Sequence, residues 1–259
     1  MGLAASKRIG RAVGPILAMS ASLLAAPAAL SATPDAKALA TATAPFTARF
    51  NVDKAGLPLG DTRFTLARDA SKPSCFVYRG QAHPNALAGL FLGDIDERSR
   101  FCIVDGEIRP MRFSHSEKGE ANKSYTLIFD WPAGKARYTD KAGRHRTFDI
   151  TPGVQDPLSL QIAARAWVAG ASDSASGEQG FPLVDDDGVK TFKLTRAPAN
   201  AVKTPAGRYD VLKVARADSP DHTLELWLAK GEHFIPVQVT TGKDGRVFTM
   251  KATALSFQD

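Results

Sequence analysis

The chain has 259 residues, of which 44% are hydrophobic, 23% charged and 8% aromatic, a composition that excludes disordered and collagen-like classes. Past residue 32 nothing approaches the roughly 20 uninterrupted apolar residues of a spanning helix, so the processed chain is not membrane-spanning. The formal charge of +6 includes Lys7, Arg8 and Arg11; without these three, 30 basic residues face 27 acidic ones, interspersed along the chain, which disfavours nucleic acid as a partner.

Those three basic residues precede an apolar run over residues 12–26, followed by small residues at Ala26-Pro27-Ala28 and Ala29-Leu30-Ser31. This is the pattern of a removed secretory signal, so residues 1–31 are assigned as a signal peptide and the protein to the periplasm. Gly14, Pro15 and Pro27 interrupt the run, against a retained anchor, and no cysteine precedes Cys75 to mark a lipoprotein. Residues 32–45, rich in Ala, Thr and Pro, read as a disordered leader, and residues 46–259 as a single β domain.

From Phe46 on, alternation dominates. Phe46, Ala48, Phe50 and Val52 share one face, and Gly56, Pro58 and Gly60 then turn the chain into a second strand. The period-two signal recurs near residues 75–81, 100–104, 107–114, 124–131, 136–139, 190–195, 209–215, 223–228, 235–240 and 246–257. Turn dipeptides such as Asp105-Gly106, Asp187-Gly188 and Asp244-Gly245 separate the runs. A long antiparallel series follows from this. In its clearest strand, Tyr125, Leu127, Phe129 and Trp131 share one face.

One helix stands out: Asp156 as cap, Pro157 at the first position, Leu158, Leu160, Ile162, Ala163, Ala166 and Trp167 as apolar surface, and Gly170 as stop. Residues 85–92 form a shorter helical candidate, and Ser/Gly-rich residues 171–180 read as a mobile loop. A large sheet cannot leave both faces wet, so the fold expected is mainly β. It is a single large curved antiparallel sheet, an open or half barrel, with one main helix on its concave side. Its inner face is too large for one helix to fill, which suits an apolar or amphipathic ligand. Tyr125, Leu127, Phe129 and Trp131, with Trp167 opposite, are the candidate ligand-binding residues; alternatively, these aromatics close against one another.

Cys75 and Cys102, 27 positions apart, are assigned as a disulfide because an oxidising compartment favours the bond, with two buried thiols as the alternative, since spacing alone does not establish proximity. The five histidines, His83, His115, His145, His222 and His233, are scattered, without HExxH or CxxC, and no GxSxG or phosphate loop occurs. Asp185-Asp186-Asp187-Gly188 lacks the other ligands of a calcium loop and reads as a hairpin turn. Asp94, Asp96, Glu97 and Asp130 form an acid pair only if folding brings two of them into one cleft. No catalytic, metal or cofactor set is therefore assigned.

Several segments together resemble a family of secreted bacterial proteins of unknown function, DUF3108. They are residues 46–50 with Gly56 and Gly60, Glu97-Arg98-Ser99-Arg100-Phe101, Asp105-Gly106-Glu107-Ile108-Arg109-Pro110 and Phe129-Asp130-Trp131. Further on come residues 155–160, 204–209 and 227–229, then Ile235-Pro236-Val237. The resemblance implies a curved antiparallel sheet with a helix against it, similar in outline to periplasmic lipoprotein carriers, and no catalytic set. The cysteines lie outside the shared pattern. Two functions are expected in turn: a non-enzymatic periplasmic protein holding a lipophilic envelope ligand, or an envelope assembly factor binding another protein through a sheet edge or loop.

Overall fold

The computed structural model describes residues 35–90, 93–120, 123–172 and 176–257. The expected signal peptide lies outside them. A short helix, α1 (Ala36–Ala42), leads into eight antiparallel strands: β1 (Phe46–Lys54), β2 (Leu57–Arg68), β3 (Cys75–Pro84), β4 (Ile95–Val104), β5 (Glu107–Glu117), β6 (Tyr125–Asp130), β7 (Lys135–Asp140) and β8 (His145–Asp149). The main helix, α2 (Ser159–Ala169), is followed by β9 (Gly177–Val184), β10 (Val189–Pro198), the small hairpin β11 (Val202–Thr204) and β12 (Gly207–Tyr209), then β13 (Val211–Arg216), β14 (His222–Ala229), β15 (Ile235–Lys243) and β16 (Arg246–Phe257).

Fourteen strands make one sheet in the order β8-β7-β6-β5-β4-β3-β2-β1-β16-β15-β14-β13-β10-β9. The two meanders join where β1 pairs with β16, so the first and last strands of the fold are neighbours at its centre. The sheet is not closed by a β8–β9 ladder. Instead, Gln155 bridges the C-terminal end of β9, its N–H donating to Pro182 O (2.8 Å) and its carbonyl accepting from Val184 N (2.9 Å). The remaining edge, β8, is short and largely exposed, with Arg146 and a Lys135–Asp149 ion pair beside it, the form that discourages edge-to-edge pairing.

Helix α2 runs inside the curve and is buried on nearly every side, Ile162, Ala166 and Val168 being fully covered, as befits a helix apolar at eight of its eleven positions. Its regular part starts at Ser159, but Asp156 organises the turn before it. The Asp156 carboxylate accepts from the Leu158 and Ser159 amides at 2.9 and 2.8 Å, and its carbonyl accepts from Leu160 N. Gly170 ends the helix, its N–H returning to Ala166 O.

Three local expectations are corrected. Residues 32–45 are not a disordered leader throughout: α1 lies within them, capped by Asp35, which accepts from Ala38 N at 2.6 Å. Seven residues are too few for an independent helix; Ala38, Leu39 and Ala42 are buried in the packed structure and supply what local propensity lacks. The 171–180 loop gives way to β9 at Gly177, because the ladder to β10 runs from Gly177↔Arg196 to Val184↔Val189. The helical candidate at 85–92 contracts to one 3-10 turn at Ala88–Leu90, where the Asn85 side chain accepts from Ala88 N.

Cys75 and Cys102 stand directly opposite each other on β3 and β4 and are joined by a disulfide. Neighbouring strands bring the sulfurs together, which the spacing along the chain left open.

Candidate ligand-binding cavity

All neighbouring strands being antiparallel, the ends of β1, β3, β5, β9 and β15 lie along one rim of the sheet. The N-terminal part of α2 and the strands near that rim enclose a cavity of about 370 Å³, within the lower range of small-molecule sites. Its walls come from alternate residues of separate strands: Phe46 and Phe50 of β1, Phe64 of β2, Leu226 of β14 and Met250 of β16, with Leu160 of α2 across from them. Ala48 and Ala164 also line it; two methyl groups where larger side chains would fill the space help explain why it stays open.

The aromatic wall depends on a glycine. Phe64 pairs with Gly80 across β2 and β3, and a Cβ at Gly80 would stand 2.8 Å from the Phe64 ring. Without that methyl, the ring lies over β3 and reaches Tyr78, 5.9 Å away between centroids. Behind Phe46 lies the guanidinium of Arg165, 4.9 Å from the ring centroid, with Nη2 donating to His233 O at 2.9 Å. Arg165 is 1% exposed and its Nη1 has no hydrogen-bond partner among the described residues. Burial pulls its pKa down to about 10.

Polar groups are few. The Tyr78 hydroxyl donates to Gln161 Oε1 at 3.0 Å, and burial raises its pKa far above the usual phenol value. Glu97 and Asp185 also line the cavity. A second apolar depression of about 240 Å³ shares Thr241 and Met250 with it and continues toward Val52, Leu59 and Phe248.

The predicted ligand-binding residues lie elsewhere. Tyr125, Leu127 and Phe129 are buried on the β6 flank, none of them lining this cavity. Tyr125 stacks on Tyr138 at 5.2 Å and on His115 at 5.6 Å, and Phe129 stacks on Trp131 at 6.3 Å. Trp131 donates from Nε1 to Pro110 O at 2.8 Å. Within the predicted set only Phe129 and Trp131 pack on each other; Tyr125 packs on rings supplied by β5 and β7 and borders a separate surface depression with Arg112 and Ser114. Trp167 faces a different depression of about 400 Å³ toward the opposite rim, with Phe181 and Arg196, whose guanidinium lies 4.6 Å from the indole. Phe46, Ala48 and Phe50 were legible as an inward face; that this face borders a void was not.

Of the candidate acids, Asp94 and Asp96 line one surface depression with His83 and Glu117, whereas Glu97 and Asp130 do not line it, and each of the four has a basic partner. Asp94 pairs with His83 (3.1 Å), Asp96 with Arg79, Glu97 with His115 (2.9 Å) and Asp130 with Arg137 (2.7 Å). Asp185, Asp186 and Asp187 form the turn between β9 and β10, with ligand-capable oxygens within 4.8 Å of one another.

A single antiparallel sheet wrapped around a buried helix, with an apolar cavity at the helix end, defines a barrel-like protein. Residues 46–252 match the family described as protein of unknown function, DUF3108, and the chain belongs to that family. Among solved structures it is similar to a β-barrel-like protein of the DUF1849 domain from Brucella abortus, at 13% identity and a TM-score of 0.51, over 84% of this chain and 99% of that one. At this identity the likeness shows the fold alone. It also matches, at a TM-score of 0.35 and 13% identity, a candidate exported protein of YmcC-like fold from Bacteroides fragilis, over 82% of this chain and 95% of that one. A candidate lipoprotein from Parabacteroides distasonis matches at 0.33 and 12%, over 83% and 96%. No curated protein matches.

Proposed function

We propose that this protein is a non-catalytic periplasmic binding protein that holds a lipophilic molecule between α2 and the sheet. The observation that carries this reading is the roughly 370 Å³ cavity walled by Phe46, Phe50, Phe64, Leu226 and Met250. Apolar surface of that kind gains about 25 cal/mol for each Å² it shields from water, so filling it favours an apolar occupant. The signal-like N-terminus and the Cys75–Cys102 disulfide support an oxidising compartment outside the cytoplasm. The assembly-factor alternative is less favoured, since one sheet edge is bridged at its end by Gln155 and the other is short and charged.

The test uses N-phenyl-1-naphthylamine, a neutral probe that brightens in apolar surroundings, with native mass spectrometry of protein purified from the periplasm. Wild type is expected to take up the probe, and Ala164→Phe, which places a ring in the cavity, to lose it while remaining folded. Equal uptake by both, or no uptake and no extractable ligand in wild type, would refute the proposal.

A further inference from the structure

The cavity's charged lining is of one sign. Among its described lining residues the ionisable acids are Glu97 and Asp185, and no Lys, Arg or His joins them. Glu97 takes one hydrogen bond through Oε1, from His115 at 2.9 Å, and its Oε2 has no partner among the described residues. Asp185 accepts from Asp187 N at 3.0 Å and pairs with Lys190 Nζ at 2.5 Å. Asp186 and Asp187 stand beside it. Lys190 and Arg146 are cations beside this acidic turn, Arg146 reaching Asp186 O while lying over the Tyr138 ring. Neither lines the cavity.

The titrating groups register the same field. The Tyr125 hydroxyl is pushed up by burial and then by Asp186, Glu97 and Asp185, so these carboxylates act on one neighbourhood. Asp186 is itself pushed up by burial, then by Asp187 and Asp185. His115 loses basicity to burial, but Glu97, Glu117 and Asp186 more than offset the loss and raise its pKa.

We propose that the cavity takes a single-chain amphiphile with a cationic polar end, an ammonium or guanidinium placed between Glu97 and Asp185 with its chain against Phe46, Phe50 and Leu226. This rests on the ligand-binding role proposed above and specifies the ligand's chemistry. A carboxylate or phosphate at the same place would meet like charges across a partly desolvated rim, where repulsion is stronger than in water. The volume argues for one chain: the cavity and its adjoining depression, about 370 and 240 Å³, are small for a multi-chain lipid.

The experiment is competition against bound N-phenyl-1-naphthylamine, below micelle-forming concentrations, by four ligands of equal chain length: decyltrimethylammonium, decanol, decanoate and decyl phosphate. Decyltrimethylammonium is expected to bind at least about tenfold tighter than decanoate, with the ratio shrinking as salt is added. In Glu97→Gln and in Glu97→Gln with Asp185→Asn, checked for folding by circular dichroism, the ratio is expected to fall toward one. A wild-type ratio at or below one, or a ratio that the folded variants preserve, would overturn the proposal. Decanol separates the two levels: if it displaces the probe while charge makes no difference, only the headgroup assignment fails; if none of the four displaces it, the cavity role fails. Lipid extracted with the protein identifies the natural source. A single-chain amine-bearing lipid without net negative charge supports the assignment, as does an empty cavity that takes up the free alkylammonium; an anionic or a multi-chain lipid overturns it.

Discussion

Asp156 is fully buried, and its carboxylate is held by the Ser99 hydroxyl at 2.6 Å and by the Leu158 and Ser159 amides at 2.9 and 2.8 Å. Desolvation outweighs these bonds and raises its pKa from 3.8 to about 6. A folded-state pKa above the unfolded one means that the native protein binds the proton more tightly. The associated stability is present in full below about pH 4 and is lost as pH rises through about 6. A shift of about two units corresponds to about 3 kcal/mol. Asp156→Asn removes the charge while keeping an acceptor for the two amides, and its NH₂ can donate to Ser99. The measurement is urea unfolding of both proteins, disulfide intact, at steps from pH 3.5 to 7.5. Other groups titrate in both, so the difference between the proteins isolates residue 156. Relative to the variant, wild type is expected to lose about 3 kcal/mol across that range. A difference constant to within about 0.5 kcal/mol, below what a one-unit shift would give, would refute the reasoning. Asp156→Ala leaves two amides and a hydroxyl without their acceptor in the interior, so it is expected to destabilise by about 2 kcal/mol or more at pH 4.

Replacing Cys75 and Cys102 together by Ser opens a loop spanning 27 positions and is expected to cost about 3.5 kcal/mol in the chain-entropy model; two reactive thiols in denatured, non-reduced wild type would contradict the bond. Arg165→Ala is expected to cost about 3 kcal/mol or more through lost packing behind Phe46. Arg165→Met, keeping most of that volume and removing an uncompensated buried charge, should cost clearly less; equal losses in unfolding experiments would show that packing is not the main contribution. Trp131→Ala breaks the bond to Pro110 O and the stack on Phe129, so it should lower the unfolding midpoint and leave N-phenyl-1-naphthylamine uptake at the wild-type level. Loss of uptake by a folded Trp131→Ala protein would restore this flank as a ligand site.

The features legible in the sequence are those that one short segment encodes. Alternation at Phe46, Ala48 and Phe50 marks a strand face because side chains point to opposite sides at successive residues; Asp156 and Gly170 mark the two ends of the helical region, although the regular helix begins at Ser159, two residues after the expected first position at Pro157. The family resemblance, carried by such segments in order, was readable for the same reason. What tertiary structure alone decided depends on neighbours distant in the chain. Seven-residue α1 is held by buried Ala38, Leu39 and Ala42, glycine-rich β9 by its ladder to β10, and exposed β8 by β7, without an apolar alternation to announce it. The disulfide needed β3 and β4 to be adjacent. The candidate site is the extreme case: alternation shows that Phe46 and Leu127 both point inward, yet one borders a void and the other a packed core. That difference depends on where α2 ends, where Ala48 and Ala164 leave space, and how β1 meets β16, relations between residues as far apart as Phe46 and Phe257 that no local pattern specifies.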